Sequence, residues 1–232
     1  MSRATMTAAA ATLPRSPLYG IAGWRAGTDE FEYEIGWDEF ERDVDWTESL
    51  LAAAGLRSGD LVLITGQNCE GPWIGPVAHA LRRIGVTYTC AEVWSFDARR
   101  TSMFLQRLPI RAVIGLCGDT VAALEPEQPP IAELFKNVEF VWGRPDALAW
   151  LTSVASEVIP FAPLGPALAM GLPGKPGAAV NPDEWTVDSE AGQLVVTNVR
   201  ERASSFDRAP TGVRGQVLSE GVIAPDPGVE SD

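Results

Sequence analysis

The sequence predicts an α/β protein in which a mainly parallel sheet flanked by helices is followed by a small β-rich unit. Three observations carry this. Short apolar runs recur about every 25 residues, at 61–65, 86–93, 112–116 and 138–142. Stretches with helical spacing lie between them, the pattern of βαβ units with right-handed connections. After Pro160 the pattern changes to short alternating segments set among Pro, Gly and Ala.

Each element has a local reason. Residues 30–35 alternate acid and apolar, with Phe31, Tyr33 and Ile35 on one side, which is the period of a half-buried strand. From Trp37 the period changes, and Phe40, Val44, Thr47 and Leu51 follow at three- and four-residue spacings. Asp38 suits the positive end of that helix, and Gly55 suits its C-terminus. The ten acids between Asp29 and Glu48 read as a solvated face or as a docking site for a basic partner. The run 61–65 leads through a Gly-bearing loop to a helix over 72–84, and 86–93 leads to a helix over 97–108. The run 112–116 leads to helical pieces as far as Lys136, and 138–142 to a helix over 145–157.

The stretch 160–182 is expected to hold little regular structure. Beyond it, 184–188 and 193–199 read as strands joined by a Ser-Glu-Ala-Gly turn, with 214–222 a weaker third. Leu194 and Val196 point to one face and Val195 to the other, so this strand is covered on both sides and Trp185 beside it is buried. The expected organisation is a unit over 18–158, a second over 160–223, and flexible termini at 1–17 and 224–232.

Composition narrows the function. A chain of 232 residues with 46% apolar residues can build its own core. Its formal charge of −13 argues against a nucleic-acid binder or a protein of anionic membrane surfaces. Lys136 and Lys175 are the only lysines and His79 the only histidine, which excludes a His-rich metal site. No metal site and no cofactor is expected. Cys69, Cys90 and Cys117 lack the spacing of a disulfide framework, which suits a reducing, cytoplasmic setting. The longest apolar stretch, 158–174, is broken by four prolines and is no membrane helix.

The loop from Thr65 to Gly71 invites a nucleotide reading, but it is neither G-x-G-x-x-G nor a Walker A loop. Cys69 precedes a helix N-terminus, where a thiolate is stabilised. His79 lies about three turns further along, too far to serve as its base. A structural cysteine and a packing histidine are the plainer readings.

Two sets of segments then resemble a known family, the adenylate-forming acyl-CoA ligases. Gly55-Leu-Arg-Ser-Gly-Asp-Leu-Val and the helix end Ala80-Leu-Arg-Arg-Ile-Gly-Val resemble its N-terminal part. Leu164-Gly165-Pro166, then Val180-Asn-Pro-Asp-Glu-Trp, then Gly192-Gln-Leu-Val-Val-Thr, then Arg208-Ala-Pro-Thr211-Gly212 follow the order of "TELGP", "HVNEDHF", "GELVVT" and "RYRTGD" in the phenylacetate-CoA ligase branch. The resemblance implies a barrel-like β subdomain. It also implies a residual acyl pocket lined by Phe161, Leu164, Gly165, Pro166, Thr211 and Gly212.

The departures fall on the chemistry. The family's phosphate loop, which ends in Lys, has no counterpart between 142 and 160. The Thr and Glu before "LGP", which the resemblance assigns to phosphate and magnesium, stand here as Ala162 and Pro163. The ribose-binding Asp stands as Val213, the His before "VNED" as Ala179, and neither lysine matches the catalytic Lys of the family's mobile C-terminal domain. Losing one group that stabilises a transition-state anion costs ~10²–10³ in rate. The expectation is therefore a non-adenylating homologue with no catalytic residues. It would act as a binding or accessory subunit that pairs with itself or with a complete ligase. An altered chemistry on an acyl or acyl-CoA substrate and an acidic protein-interaction module are the alternatives.

Overall fold

In the computed structural model, which describes residues 16–67, 70–126 and 129–227, the chain opens with a hairpin. β1 (Gly20–Ala26) pairs antiparallel with β2 (Asp29–Ile35) along its whole length. The long helix α1 (Trp37–Ala53) follows, and the chain turns out of it through Gly55 at φ 92°.

Alternating elements then build the parallel half. They are β3 (Leu61–Thr65), α2 (Gly71–Ile84), β4 (Thr87–Ala91), a 3-10 turn at Ser95–Asp97, α3 (Ala98–Arg107), β5 (Ala112–Leu116), α4 (Gly118–Leu124), α5 (Ile131–Phe135), β6 (Phe140–Gly143) and α6 (Pro145–Leu151). With the start of β7 (Val158–Leu164) the strands lie in the order β4-β3-β5-β6-β7, all parallel. Helices α1 and α2 bury Phe40, Val44, Val77 and Leu81 against Val62, Ile64, Ile114 and Trp142 on one face. Leu124, Phe135 and Leu151 of α4, α5 and α6 cover Leu63, Val113 and Val141 on the other. Burial on both faces is why these strands read as unbroken apolar runs.

From β7 the same sheet continues antiparallel. β8 (Ala167–Met170), β9 (Ala178–Ala179), β13 (Val222–Pro225), β12 (Ala209–Ser219), β11 (Gln193–Asn198) and β10 (Trp185–Glu190) complete eleven strands. Leu194, Val195 and Val196 are buried on alternate faces, and Trp185 is 3% exposed.

Three expectations are corrected. The stretch 160–182 is not irregular: it carries most of β7 together with β8 and β9. Proline is tolerated there because residues 158–160 pair with β6 alone and 161–164 with β8 alone, so a missing N–H can face an open side. The helix predicted over 145–157 stops at Leu151. Ala224 and Pro225 are not a loose tail but pair in β13 with Gln216 and Gly215. Strand β1 has no expectation behind it, because Gly20, Ala22 and Gly23 hide its alternation. Residues 1–15 and 228–232 lie outside the described residues. At Ser16 the carbonyl accepts a hydrogen bond from Trp37 Nε1 at 2.9 Å.

Candidate functional site

The six pocket candidates sit on two elements. Phe161 and Leu164 lie in β7, with Gly165 and Pro166 in the turn to β8; Thr211 and Gly212 lie in β12. Phe161 is fully buried beneath the helices, and Leu164 belongs to the separate core of the β region. Thr211 Oγ1 donates to the Leu194 carbonyl at 2.8 Å, tying β12 to β11.

Gly165 and Gly212 are brought together by the hairpin. Trp24 of β1 donates from Nε1 to the Pro210 carbonyl at 2.8 Å. Gly165 has φ 58°, and a Cβ there would come within 3.0 Å of the Trp24 ring. At Gly212, φ 78°, a Cβ would collide with the Arg25 carbonyl. Both glycines therefore serve the close approach of the hairpin. Trp24 is stacked on Phe31 at 4.7 Å and meets Tyr33 and Phe206 edge-on. Trp73 Nε1 donates to the Gly165 carbonyl at 3.1 Å from α2. The hairpin thus sets its Trp24 indole against Gly165 and its Arg25 backbone against Gly212. Pro166 borders a cavity of about 20 Å³ with Asp43, Thr47, Asn181 and Trp185, room for about one water.

The nucleotide that the resemblance implies does not fit these residues. Ala162 and Pro163 pair with Ala169 and Leu168 inside the sheet and offer neither a hydroxyl nor a carboxylate. Val213 brings no acceptor for a ribose.

A second arrangement lies at the carboxyl ends of the parallel strands. The chain passes from β3 out to β4 and returns on β3's other side as β5, so a crevice opens between β3 and β5. Glu70 and Arg144 close it with two hydrogen bonds, of 2.6 and 2.7 Å. Arg144 Nε also donates to the Gly115 carbonyl at 2.9 Å. Burial works against the Arg144 charge, but Glu70 outweighs it and holds the guanidinium above its ordinary range. Next to this pair runs a groove of about 570 Å³ whose walls include Ile21, Gln67, Glu70 and Trp73.

The candidate nucleophile and base do not form a site. Cys69 lies outside the described residues. His79 packs edge-on against Phe40 at 5.1 Å, and burial lowers its pKa. Cys117 donates from Sγ to the Val93 carbonyl at 2.9 Å.

The third arrangement escaped the sequence altogether. Arg202, in the loop between β11 and β12, is 4% exposed and meets Asp43 at 2.6 Å, Glu184 at 2.7 Å and Glu39 at 3.8 Å. Arg42 Nε donates to Glu184 at 2.5 Å, and the Arg202 guanidinium covers the Trp185 ring at 4.7 Å. Glu39 and Asp43 therefore leave the supposed solvated face and join α1 to the β region. No periodicity marks them, because their partners lie about 160 residues away.

Comparison with solved structures places the whole arrangement in a known fold. The chain shares its fold with AMP-forming acyl-CoA ligases. It matches 2-hydroxyisobutyryl-CoA ligase in complex with 2-HIB-AMP and CoA at a TM-score of 0.65 and 13% identity, over 93% of this chain and 57% of that one. It matches the N-terminal subdomain of Klebsiella oxytoca NpsA in complex with 3-hydroxyanthranilyl-AMSN at 0.61 and 13%, over 88% and 61%. A malonyl-CoA ligase ternary product complex with methylmalonyl-CoA and AMP matches at 0.58 and 12%, over 91% and 53%. The chain thus spans less than two-thirds of each of these neighbours. No protein-family model and no curated protein sequence matches it. Among the described residues no helix is long and apolar enough to cross a membrane.

Proposed function

We propose that this chain is a non-adenylating relative of the acyl-CoA ligases, nearest in motif order to the phenylacetate-CoA ligase branch, and that it works as a binding or accessory subunit in the cytoplasm without a cofactor. One observation carries the reading: Trp24 packs against Gly165 and bonds the Pro210 carbonyl beside the Thr211-Gly212 pair, while Ala162, Pro163 and Val213 bring neither a carboxylate nor a hydroxyl. A magnesium nucleotide there would have to displace a buried, hydrogen-bonded indole and would then meet no carboxylate for its metal. Its partners on this reading are a second copy or a complete ligase.

The test is a melt with and without ATP and magnesium, beside pyrophosphate exchange with a panel of carboxylic acids. A ligand at a hundred times its Kd adds about 2.7 kcal/mol and moves the melt by several degrees. The expected result is no shift and no exchange. A clear shift or exchange in the parent overturns the proposal. Trp24→Ala should gain no ATP response either, because the missing acidic and hydroxyl groups stay missing.

A second reading rests on the groove beside Glu70 and Trp73. Its about 570 Å³ would accept a small acyl ligand, with the Glu70–Arg144 pair at one end. Saturable binding of short acyl-CoA thioesters that Trp73→Ala weakens, together with their turnover, would favour altered acyl chemistry over an accessory role.

A further inference from the structure

Besides β1, which packs against β12 through Trp24 and Arg25, three strands of the described fold have an outer edge with no strand paired to it, and they differ in how that edge is guarded. β2 carries Asp29, Glu30, Glu32 and Glu34, and β10 carries Asp188 and Glu190. Charge of this kind is the usual protection of a free edge. β4 reads Thr87-Tyr88-Thr89-Cys90-Ala91, with no charge and no proline, and its pairing with β3 runs without a bulge.

The direction of its backbone groups follows from two bonds. Thr87 N–H donates to the Asp60 carbonyl at 3.0 Å, and the Ala91 carbonyl accepts from Gly66 N–H at 3.1 Å. Odd-numbered residues of β4 therefore face β3, and by alternation Tyr88 and Cys90 turn their N–H and C=O groups outward. The free edge ends there, since Glu92 N–H is taken by Asp97 Oδ2 at 2.8 Å. Two outward residues, one either side of Thr89, form a self-complementary set.

We propose that two copies of this chain pair through β4, antiparallel about a two-fold axis at Thr89, so that one sheet runs through both. Tyr88 then lies opposite Cys90 of the partner subunit and exchanges two N–H···O bonds with it, and the symmetric pair supplies two more. The charges agree with this register. Arg82 lies over the Tyr88 ring at 5.4 Å, and burial pushes the Cys90 thiol up while Arg82 and Glu92 both act on it, which places them on one face of the strand. In the antiparallel register Arg82 comes diagonally beside the partner's Glu92, within reach of long side chains. The loop after β4 carries Trp94 and Phe96, 45% and 75% exposed, and brings them next to the start of the partner's strand. An isologous contact of this kind closes on itself and leaves no edge for further growth.

This surface is four strands away from β7, so the proposal stands or falls apart from the ligase-like reading. The test is sedimentation equilibrium with disulfide trapping. In the paired register Thr89 faces Thr89 of the partner subunit in a non-hydrogen-bonded pair, where Cα atoms lie ~4.5 Å apart, within disulfide range. Thr89→Cys in a Cys90→Ser background should give a covalent dimer on mild oxidation, and Cys90→Ser alone should not. Thr89→Glu sets like charges face to face and should weaken the dimer about tenfold or more with an unchanged far-UV spectrum. A parent that stays monomeric, a dimer indifferent to Thr89→Glu, or an absent cross-link in the cysteine variant each overturns the proposal.

Discussion

On each face of helix α1 three carboxylates surround one arginine, all three from the helix on the outer face and two of them on the inner. On the inner face Glu39 and Asp43, with Glu184, surround Arg202, which is 4% exposed. On the outer face Glu41, Asp45 and Glu48 surround Arg83 of α2, which is 38% exposed. The groups and distances are alike, and the solvent is not. Around Arg83 water competes for every charge, so the pairs contribute ~0–1 kcal/mol and salt screens them. Around Arg202 the carboxylates have already lost their water, so the arginine is what makes their burial tolerable. An ion cluster thus matters by what would remain if one member were removed.

That contrast can be broken from its strong end first. Arg202→Ala leaves Glu39 and Asp43 without their main cation and uncovers Trp185. A loss of about 5 kcal/mol is expected in urea unfolding, and a loss near that of an exposed pair would mean water reaches the cluster. Trp185→Ala removes the indole beneath the same guanidinium and should cost about 4 kcal/mol. A melt within a degree of the parent would show that β10 and β11 do not pack as described. Arg83→Ala should cost at most ~1 kcal/mol, and that share should vanish in high salt.

The smallest effect carries a pH signature. Burial pushes the Glu39 carboxyl above its ordinary range, more than the Ala203 amide and Arg202 pull it down. A carboxyl raised on folding holds its proton more tightly in the folded chain. Its contribution is therefore full below the ordinary carboxylate range and is lost as pH rises through the raised value. Glu39→Gln keeps an acceptor for Ala203 N–H, which bonds Glu39 Oε2 at 2.6 Å, and removes the titration. Its Tm should vary less between mildly acid and neutral pH than the parent's, with neutral stability changed by under ~1 kcal/mol. An unchanged pH profile would place the titrating group elsewhere, with Asp43, also raised by burial, as the next to test.

The two halves of the sheet differ in how far they could be read. β3, β5 and α2 match their expected ranges to within about one residue, because a strand covered on both faces must be apolar throughout and a helix between two such strands must repeat every three or four residues. In the antiparallel half, β7, β8 and β9 escaped. Their prolines and glycines are tolerated only because of which neighbour each residue has, and no local pattern carries that. The candidate site divides the same way. Gly165 and Gly212 could be singled out from motif order, but the residues that meet them, Trp24 and Arg25, come from a strand about 140–190 residues earlier whose small residues gave no signal.

Local periodicity, then, determined the class of fold, the parallel core and the burial of Trp185, because each depends on spacing within one segment. Motif order also marked Ala162, Pro163 and Val213 as positions lacking the ligases' chemistry. Tertiary structure alone decided that Trp24 packs against Gly165 and bonds Pro210, and that Glu39 and Asp43 turn inward to Arg202. It likewise decided that β4, out of thirteen described strands that no sequence pattern could rank, is left as an unguarded edge. The physical reason is common to all three: whether a ring, a carboxylate or a strand edge meets water depends on segments far away in the chain, and pairings at that distance leave no period in the sequence.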